Sequence, residues 1–174
     1  MGEAESTQGK RWYAMRVRYG RQQQLVQACG EGGADFFAPT GVISTLLFVR
    51  CAEAWLQAFV EAHRRHVWVY YNAAGTRPAA IDEREMEVFR FVVTAGREGL
   101  TLLGDDKPEY HEGDLVRVTG GPFKGAVGHI RRIKRDRRLV VSISGVVAVA
   151  TTYIHPSLLQ RADGEGTDRE GWLR

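Results

Sequence analysis

Residues 12–19, the first regular segment of the chain, are rich in strand-forming residues, and arginines alternate with apolar side chains from residue 16 onward. A period of two is typical of a β-strand whose two faces differ. One face would carry the odd-numbered side chains Tyr13, Met15, Val17 and Tyr19. The opposite face would carry the even-numbered side chains Trp12, Ala14, Arg16 and Arg18. The segment therefore predicts a strand, and Gly20 is expected to end it.

The pattern predicts further strands and helices in the first part of the chain. We expect strands at 35–38, 46–51 and 66–71, where apolar and β-branched residues concentrate. We expect helices at 21–29, 53–63 and 82–94, where apolar residues recur with helical spacing. The order β-α-β-β-α-β-α predicts a split-βαβ sheet with helices on one side.

The second part of the chain has a different pattern, with short strands close together. They are expected at 115–119, 126–134, 139–144 and 146–152, with 153–154 as a candidate fifth strand. Such strands predict a small SH3-like β-barrel, because closure removes exposed sheet edges. Residues 99–111 contain two glycines and a proline and predict a linker. The expected organisation is an α+β chain with domains at 10–98 and 112–162 and a flexible tail at 163–174.

Composition and charge restrict the function. The 174 residues include 24 Lys plus Arg and 21 Asp plus Glu. The excess of basic residues lies in 99–162, with 10 basic and 6 acidic residues. No apolar run has the roughly 18 residues of a membrane helix, and the N-terminus has no secretory signal. We therefore expect a cytoplasmic, monomeric protein that makes no membrane contact.

The sequence offers no pattern for catalysis or metal binding. The five histidines lack metal-ligand spacing, and no triad or carboxylate pair stands out. Cys29 and Cys51 lack redox spacing and are expected to be small buried residues. We therefore expect no catalytic residue, no metal and no cofactor, in a protein that is not an enzyme.

A glycine-rich segment opens the second domain and is the most specific motif of the chain. Its characteristic residues are Gly113, Asp114, Val116, Gly121, Pro122, Phe123, Gly125 and Gly128. The glycines permit a tight turn and a bulge, and Gly128 would allow two strands to approach closely. A phosphate-binding loop is excluded, because Ala126 and Val127 follow Gly125 where Lys and Ser or Thr are required.

This segment is the KOW motif, and the chain is similar to the NusG family of transcription elongation factors. WYAMRVRYG in the first strand and LLFVRC in the middle of the first domain contribute to this resemblance, which covers residues 11–160. It implies an N-terminal NGN domain followed by a KOW domain. The ending RLVVSISGVVAVATTYIHPSLLQ is most similar to the UpxY-type branch. Members of that branch act as antiterminators on polysaccharide-biosynthesis operons.

The resemblance implies that the NGN domain binds RNA polymerase. An apolar sheet face would dock on the clamp helices of the largest subunit and bridge the cleft. Leu46 and Phe48 would lie on that face, and Arg16 stands where a specialised family member has an exposed tyrosine. His63 and His66 would lie near the polymerase gate loop. Docking predicts an exposed apolar patch; the alternative is that Leu46 and Phe48 are ordinary core residues.

Two groups of basic residues are candidates for nucleic-acid contact. The first comprises Lys10, Arg11, Arg18 and Arg21, and the family places non-template DNA along this edge. The second lies in a predicted hairpin of the KOW domain and comprises Arg131, Arg132, Lys134 and Arg135. It could meet nascent RNA, ribosomal RNA or DNA. The alternative for both groups is a solvated basic surface.

The chain departs from the family pattern at two places. Ser144 stands where NusG carries a phenylalanine that engages Rho or a ribosomal protein, so coupling to Rho or the ribosome is uncertain. The connection 40–44 is shorter than the corresponding loop in the family. Either this loop is naturally short or residues are missing from the sequence.

The function predicted from the sequence is that of a specialised elongation factor or antiterminator, associated with the nucleoid through RNA polymerase. One alternative is a ribosome-associated RNA-binding protein, because KOW barrels also occur there. Another is an enzyme with a KOW-like appendage. It would require a polar pocket within residues 10–98, for which the sequence shows no candidate.

Overall fold

The chain folds into two packed units. The computed structural model describes residues 9–96, 99–104, 114–133, 136–143 and 145–162. Residues 9–96 form a sheet with helices, which we call the sheet unit. The described residues from 99 to 162 form a second sheet, which we call the barrel unit. This architecture confirms the α+β prediction.

Within residues 9–96, the sheet unit has five strands and three helices. The strands are β1 (Arg11–Val17), β2 (Asp35–Phe37), β3 (Leu46–Cys51), β4 (Val67–Val69) and β5 (Ala80–Ile81). The helices are α1 (Gln22–Glu31), α2 (Glu53–Ala62) and α3 (Glu83–Ala95). The antiparallel strands follow the order β2-β3-β1-β4, and β5 also pairs with β1. The sequence predicts every one of these elements except β5.

Helices cover both faces of this sheet, so the prediction of helices on one side is wrong. On one face Met15 and Leu47 pack in a cluster that includes Leu25 of α1 and Leu56 of α2. On the other face Ala14 and Phe48 pack with residues of α3. The strands are apolar on both faces, so a helix on each side buries both.

Helix α3 is attached to the sheet by polar and apolar contacts. The Asp82 carboxylate caps its N-terminus by accepting hydrogen bonds from the backbone N–H groups of Arg84 and Glu85. The Trp12 indole donates a hydrogen bond of 3.2 Å to Glu83. Phe89 packs on Phe48 with 5.4 Å between the ring centres. These contacts hold α3 across β1 and β3.

The barrel unit is an antiparallel sheet of six strands in its described part. They are β6 (Thr101–Gly104), β7 (Leu115–Val118), β8 (Val127–Ile133), β9 (Asp136–Ile143), β10 (Val147–Tyr153) and β11 (Leu159–Arg161). Their order is β11-β7-β8-β9-β10-β6. The fifth strand predicted at 153–154 is wrong, because residue 153 belongs to β10 and the next strand begins at Leu159. The sequence predicts a linker at 99–111, whereas β6 pairs with β10 as part of the sheet.

The two units share one apolar core. A single cluster joins Phe48 and Phe89 of the sheet unit to Phe123, Val141 and Val147 of the barrel unit. A Cβ placed on Gly96, directly after α3, would lie 2.9 Å from the Phe123 ring. Phe123 thus lies between the barrel and the end of α3.

The cysteines are buried, as the sequence predicts. Cys29 and Cys51 are free thiols in the cluster beneath α1 and α2. Burial raises the pKa of the Cys29 thiol to about 12 and that of Cys51 to about 11. Neither thiol is suited to nucleophilic chemistry at neutral pH.

Candidate functional site

The predicted docking residues of β3 are not exposed in this arrangement. Leu46 has 3 % of its surface accessible, and Phe48 has none. The prediction of an exposed apolar patch at these two residues is therefore wrong for the packed arrangement. Leu47 and Val49 are also fully buried. A strand whose apolar side chains are buried on both faces accounts for the continuous sequence LLFV.

Different parts of the molecule cover Leu46 and Phe48. Phe48 packs within the sheet unit, against Phe89 of α3 and against Phe37, whose ring centre is 6.2 Å away. Leu46 instead lines a small pocket with Val146 and Val147 of the barrel unit. Phe48 is thus a core residue of its own unit, whereas Leu46 lies at the seam between the units.

Arg16 lies exposed on the same sheet face. In the antiparallel register it is opposite Leu46 on one side and Trp68 on the other. Trp68 is 51 % exposed, although it belongs to a strand. Trp68 is not among the site residues predicted from the sequence. In the sequence, only the alternation of Trp68 with Val67 and Val69 indicates that its side chain lies on the other face of the strand. The register of β4 with β1 is needed to place Trp68 beside Arg16.

Residues predicted to contact nucleic acid and residues predicted to lie near the polymerase gate loop meet at one end of β1. The backbone N–H of Arg18 donates to the carbonyl of His66, which joins the end of β1 to the start of β4. The pKa of His66 lies below its ordinary value because its surroundings are desolvated. Arg21, Arg18, His63 and Arg65, in decreasing order, lower it further by their positive charge. We call these five residues, Arg18, Arg21, His63, Arg65 and His66, the basic end of the sheet.

The geometry of the basic end favours anions. Arg21 is the N-cap residue of α1, and the first turn of this helix contains no acidic residue. A helix N-terminus carries a partial positive charge that adds to the nearby cations. No ion pair among the described residues involves Arg18, Arg21 or Arg65. Tyr19, 80 % exposed, lies between Arg18 and Arg21 in the chain.

Lys10 and Arg11 do not join this cluster. Arg11 begins β1 opposite Cys51, and Arg18 follows its last residue. A seven-residue strand is about 20 Å long, so the two groups lie at opposite ends. The single basic edge predicted from the sequence is therefore divided into two separate sites.

The basic hairpin forms between β8 and β9. Arg131 is paired with Arg138, and Arg132 with Arg137, across the two strands. Arg131 is half-buried, and the Arg138 guanidinium donates a hydrogen bond of 3.0 Å to Thr101 of β6. Lys134 and Arg135 lie outside the described residues. The hairpin itself is confirmed, and its binding role stays a prediction.

The glycine-rich motif forms a closed turn between β7 and β8. Gly121 and Gly125 have φ angles of 77° and 92°, which favour glycine, and the Gly125 N–H donates to the Val118 carbonyl. Pro122 is exposed in the turn. At the start of β7, Val116 is fully buried.

Other positions of the motif fix the strands around this turn. Asp114 accepts a hydrogen bond of 3.3 Å from Arg161 of β11. A Cβ on Gly128 would approach the Val140 carbonyl oxygen to 2.5 Å, which confirms the predicted close approach of strands. Gly113 and Ser144 lie outside the described residues. The described positions of the motif therefore have structural roles.

The short connection before β3 is a compact turn. The Pro39 carbonyl accepts hydrogen bonds from the N–H groups of Val42 and Ile43. The buried Gln22 side chain donates to the carbonyls of Ile43, at 3.0 Å, and Leu46, at 2.7 Å. These contacts hold the connection as a compact turn.

A polar cavity does exist within the sheet unit, contrary to the expectation from the sequence. It has a volume of about 400 Å³ and lies beside Asp35, Arg50, Glu83 and Arg90. Its charges are mutually compensated: Arg50 lies 3.3 Å from Glu83 and 3.9 Å from Asp35. Arg90 stacks over Trp12 at 5.5 Å. This network fastens α3 to the sheet, and no nucleophile or general base stands free in it.

The described residues offer neither a metal site nor a membrane span. No group of three or more His, Cys, Asp or Glu side chains there has the geometry to hold a metal ion. No helix in that part of the chain is long and apolar enough to span a membrane.

Comparisons with known proteins agree with this architecture. The family model for the KOW motif matches residues 112–143. The solved structure entitled "Domain interaction in Thermotoga maritima NusG" superposes with a TM-score of 0.50 at 17 % identity. The alignment covers 88 % of this chain and 98 % of that one. This likeness shows a shared fold and confirms the prediction of an NGN domain followed by a KOW domain.

Two more distant structures match over a similar length. They are conformations B and A of the MjSpt4:Spt5 complex, with TM-scores of 0.37 and 0.33, each at 12 % identity. The alignments cover 90 % and 87 % of this chain, and 99 % and 97 % of those chains. A search of curated proteins gave no match.

Proposed function

We propose that this protein is a NusG-type transcription elongation factor, which acts by binding RNA polymerase rather than by catalysis. The observation that carries the proposal is the NusG fold over 88 % of the chain, together with a KOW motif at the expected place. Because one fold can serve several functions, the proposal also depends on a suitable site.

The proposed docking face is the sheet face that carries Leu46, Arg16 and Trp68. Leu46 is covered by the barrel unit, so separation of the units would expose it. Phe48 would stay covered by Phe89 of α3. Docking through this face therefore requires the barrel unit to move, and the polymerase must bind the separated arrangement more tightly than the packed one. Leu46, rather than Phe48, is the docking residue in this proposal.

Capture of core RNA polymerase by the immobilised full-length protein tests this proposal. We expect the wild type to retain polymerase and Leu46→Asp to lose it while remaining folded by circular dichroism. Phe91→Asp places the same charge on an exposed residue of α3 and should bind like the wild type. Failure of the wild type to retain polymerase, together with retention of ribosomal RNA, would support the ribosome-associated alternative instead.

The basic end of the sheet is the proposed contact for nucleic acid. Arg18, Arg21 and Arg65 have no acidic partner among the described residues, and phosphates would supply their counter-charge. Such contacts give an affinity that falls with salt and depends little on base sequence. In a transcription complex the exposed single strand of DNA is the expected ligand.

Fluorescence anisotropy with a labelled 15-nucleotide oligothymidine tests this interaction. Arg18→Gln/Arg21→Gln should weaken binding and reduce the slope of log affinity against log salt by about 0.7 for each phosphate that the variant no longer neutralises. Lys10→Gln/Arg11→Gln removes the same charge at the other end of β1 and is the control. Equal weakening in both double variants would refute the assignment to the basic end.

The specialised role is a further part of the proposal. The similarity of the KOW ending to the UpxY-type branch supports antitermination on polysaccharide-biosynthesis operons by a cytoplasmic, nucleoid-associated protein. A terminator read-through reporter fused to such an operon leader should show more read-through with the wild type than with Leu46→Asp. Equal read-through with the two proteins would contradict the antitermination role and would leave only the proposed role in general elongation.

A further inference from the structure

An apolar groove lies between helix α3 and the turn that joins β7 to β8. Its volume is about 270 Å³, and it is lined by Glu87, Val88, Phe91, Lys124, Gly125 and Ala126. Phe91 is 41 % exposed here, although the opposite side of the same helix is buried in the core. Since a cavity of about 150 Å³ can hold a benzene molecule, this groove is large enough for the two fused rings of an indole.

A second cavity continues this groove along the barrel unit. Its volume is about 620 Å³, and it shares Glu87, Val88 and Gly125 with the apolar groove. On the barrel side it is lined by Leu115 and Arg117 of β7. The two cavities are therefore continuous, and we call them together the α3–barrel groove.

Positive charge lies along the barrel side of the α3–barrel groove. Arg117 and Lys124 line it, are exposed, and form no ion pair with another described residue. On the helix side, Glu85 and Glu87 line the groove together with Arg84. The barrel side thus has two cations without a counter-charge among the described residues. Carboxylates of an occupant would supply that counter-charge.

The last described residue lies beside this groove. The backbone N–H of Ala162, directly after β11, donates to the carbonyl of Leu115, which lines the groove. Residues 163–174 follow in the chain and lie outside the described residues. Their sequence, DGEGTDREGWLR, has four acidic and two basic residues, and Trp172 is its only aromatic residue. The ten residues 163–172 can span about 33 Å, against roughly 13 Å for the four residues of β7, so Trp172 can reach any part of the groove.

We propose that residues 163–174 bind in the α3–barrel groove of the same molecule. The Trp172 indole packs on Phe91 at the apolar end, and carboxylates of the segment pair with Arg117 and Lys124. An aromatic side chain supplies a large apolar contact, and the charge pairs fix the direction of the segment. Because the segment is covalently attached beside the groove, its effective concentration there is on the order of millimolar, which favours it over a separate peptide.

This contact is independent of the proposed function. The α3–barrel groove contains none of the residues Leu46, Arg16 and Trp68 of the proposed docking face. Because α3 and the barrel unit both line the groove, the bound segment adds a contact between the two units.

Paramagnetic relaxation enhancement in two-dimensional NMR of the full-length protein tests this contact. Arg174→Cys carries the spin label, since the two native cysteines are buried. We expect the label to broaden the amide signals of Phe91 and Ala126 but not that of Gly75, in the exposed loop before β5. Trp172→Ala in the labelled protein should reduce this broadening several-fold. Equal broadening at Phe91 and Gly75, or broadening that Trp172→Ala leaves unchanged, would overturn the proposal.

A mixed sample distinguishes the segment of the same molecule from that of a second copy. It contains ¹⁵N-labelled protein without a spin label and unlabelled protein that carries the spin label. We expect no broadening at Phe91 in this mixture. Broadening there as strong as in the singly prepared protein would show that a second copy supplies the segment, and would overturn binding within one molecule.

Charge reversal tests the pairing with the barrel side. In the spin-labelled protein, Arg117→Glu should reduce the broadening at Phe91 several-fold, and added salt should weaken it as well. Arg77→Glu is the matched reversal at an exposed position of the loop before β5 and should leave the broadening unchanged. Equal broadening in these two variants would overturn the pairing. Phe91→Asp should abolish the broadening yet still retain polymerase, so failure of this contact and failure of the proposed function are separate results.

Discussion

Replacing Gly128 by alanine should strongly destabilise the protein. A Cβ at this position would lie 2.5 Å from the Val140 carbonyl oxygen, 3.1 Å from Val141 Cγ2 and 3.2 Å from Leu139 Cδ1. The nearest atom belongs to the backbone of β9, so no rotamer change relieves the contact. Overpacking of this kind typically costs about 1–3 kcal/mol, and we expect the upper end.

Thermal unfolding followed by circular dichroism measures this cost. At about 2–4 °C for each kcal/mol, a destabilisation near 3 kcal/mol lowers the Tm by roughly 6–12 °C. Gly30→Ala is the matched control, because its Cβ would meet only Phe36 Cε1, at 3.8 Å, and it lies in α1. Alanine there should raise stability by up to about 1 kcal/mol. A Tm of Gly128→Ala equal to that of the wild type would refute the close approach of β8 and β9.

Three further predictions concern buried polar and titratable groups. Gln22→Ala leaves the Ile43 and Leu46 carbonyls without their donor and should cost about 1–3 kcal/mol in chemical denaturation, whereas the exposed Gln23→Ala should cost almost nothing. Because burial raises both thiol pKa values, Cys29 and Cys51 should react with a thiol reagent only upon unfolding, and fast reaction of the native protein would contradict their burial. The pKa of His66 is lowered in the folded protein, so at a pH just below the ordinary value of about 6.5 the unfolded chain binds more protons than the folded one. The free energy of unfolding should therefore decrease as the pH drops through that value. His66→Gln should make this decrease smaller. An unchanged pH dependence in this variant would contradict the assignment.

The elements with strong periodicity could be predicted from the sequence. The alternation in β1 correctly separates Met15, on the face beneath α1 and α2, from Ala14, on the face beneath α3. The helix predicted at 82–94 from helical spacing matches α3, in which the apolar residues Met86 and Phe89 are fully buried. Each pattern is local, so a single segment contains the information needed.

The elements that depend on distant pairing could not be predicted. Strand β6 has four residues, and its strand state follows from pairing with β10, some 45 residues further along the chain. Likewise, chain order does not determine which sheet face α3 covers. Helical periodicity identifies its apolar stripe but not the strand face that the stripe meets.

The candidate site could be predicted only in part, because it also depends on contacts between distant parts of the chain. Leu46 and Arg16 are opposite each other in the register of β1 and β3. The resemblance relates both residues to one docking face, whereas the continuous apolar run LLFV of β3 shows no alternation that could do so. Their exposure depends on the barrel unit, which packs over Leu46 but leaves Arg16 open. The convergence of Arg18 with His66 also required the tertiary pairing of β1 and β4.

The most direct test of the central claim is site-specific photocrosslinking to RNA polymerase. Benzoylphenylalanine placed at position 68 replaces a half-exposed aromatic residue on the proposed docking face, and the same probe at Phe36, on the other edge of the sheet, serves as the control. We expect a crosslink from position 68 to the clamp helices of the largest subunit, and none from position 36. No crosslink at position 68 to the polymerase, or equal crosslinks from both positions, would contradict docking through this face.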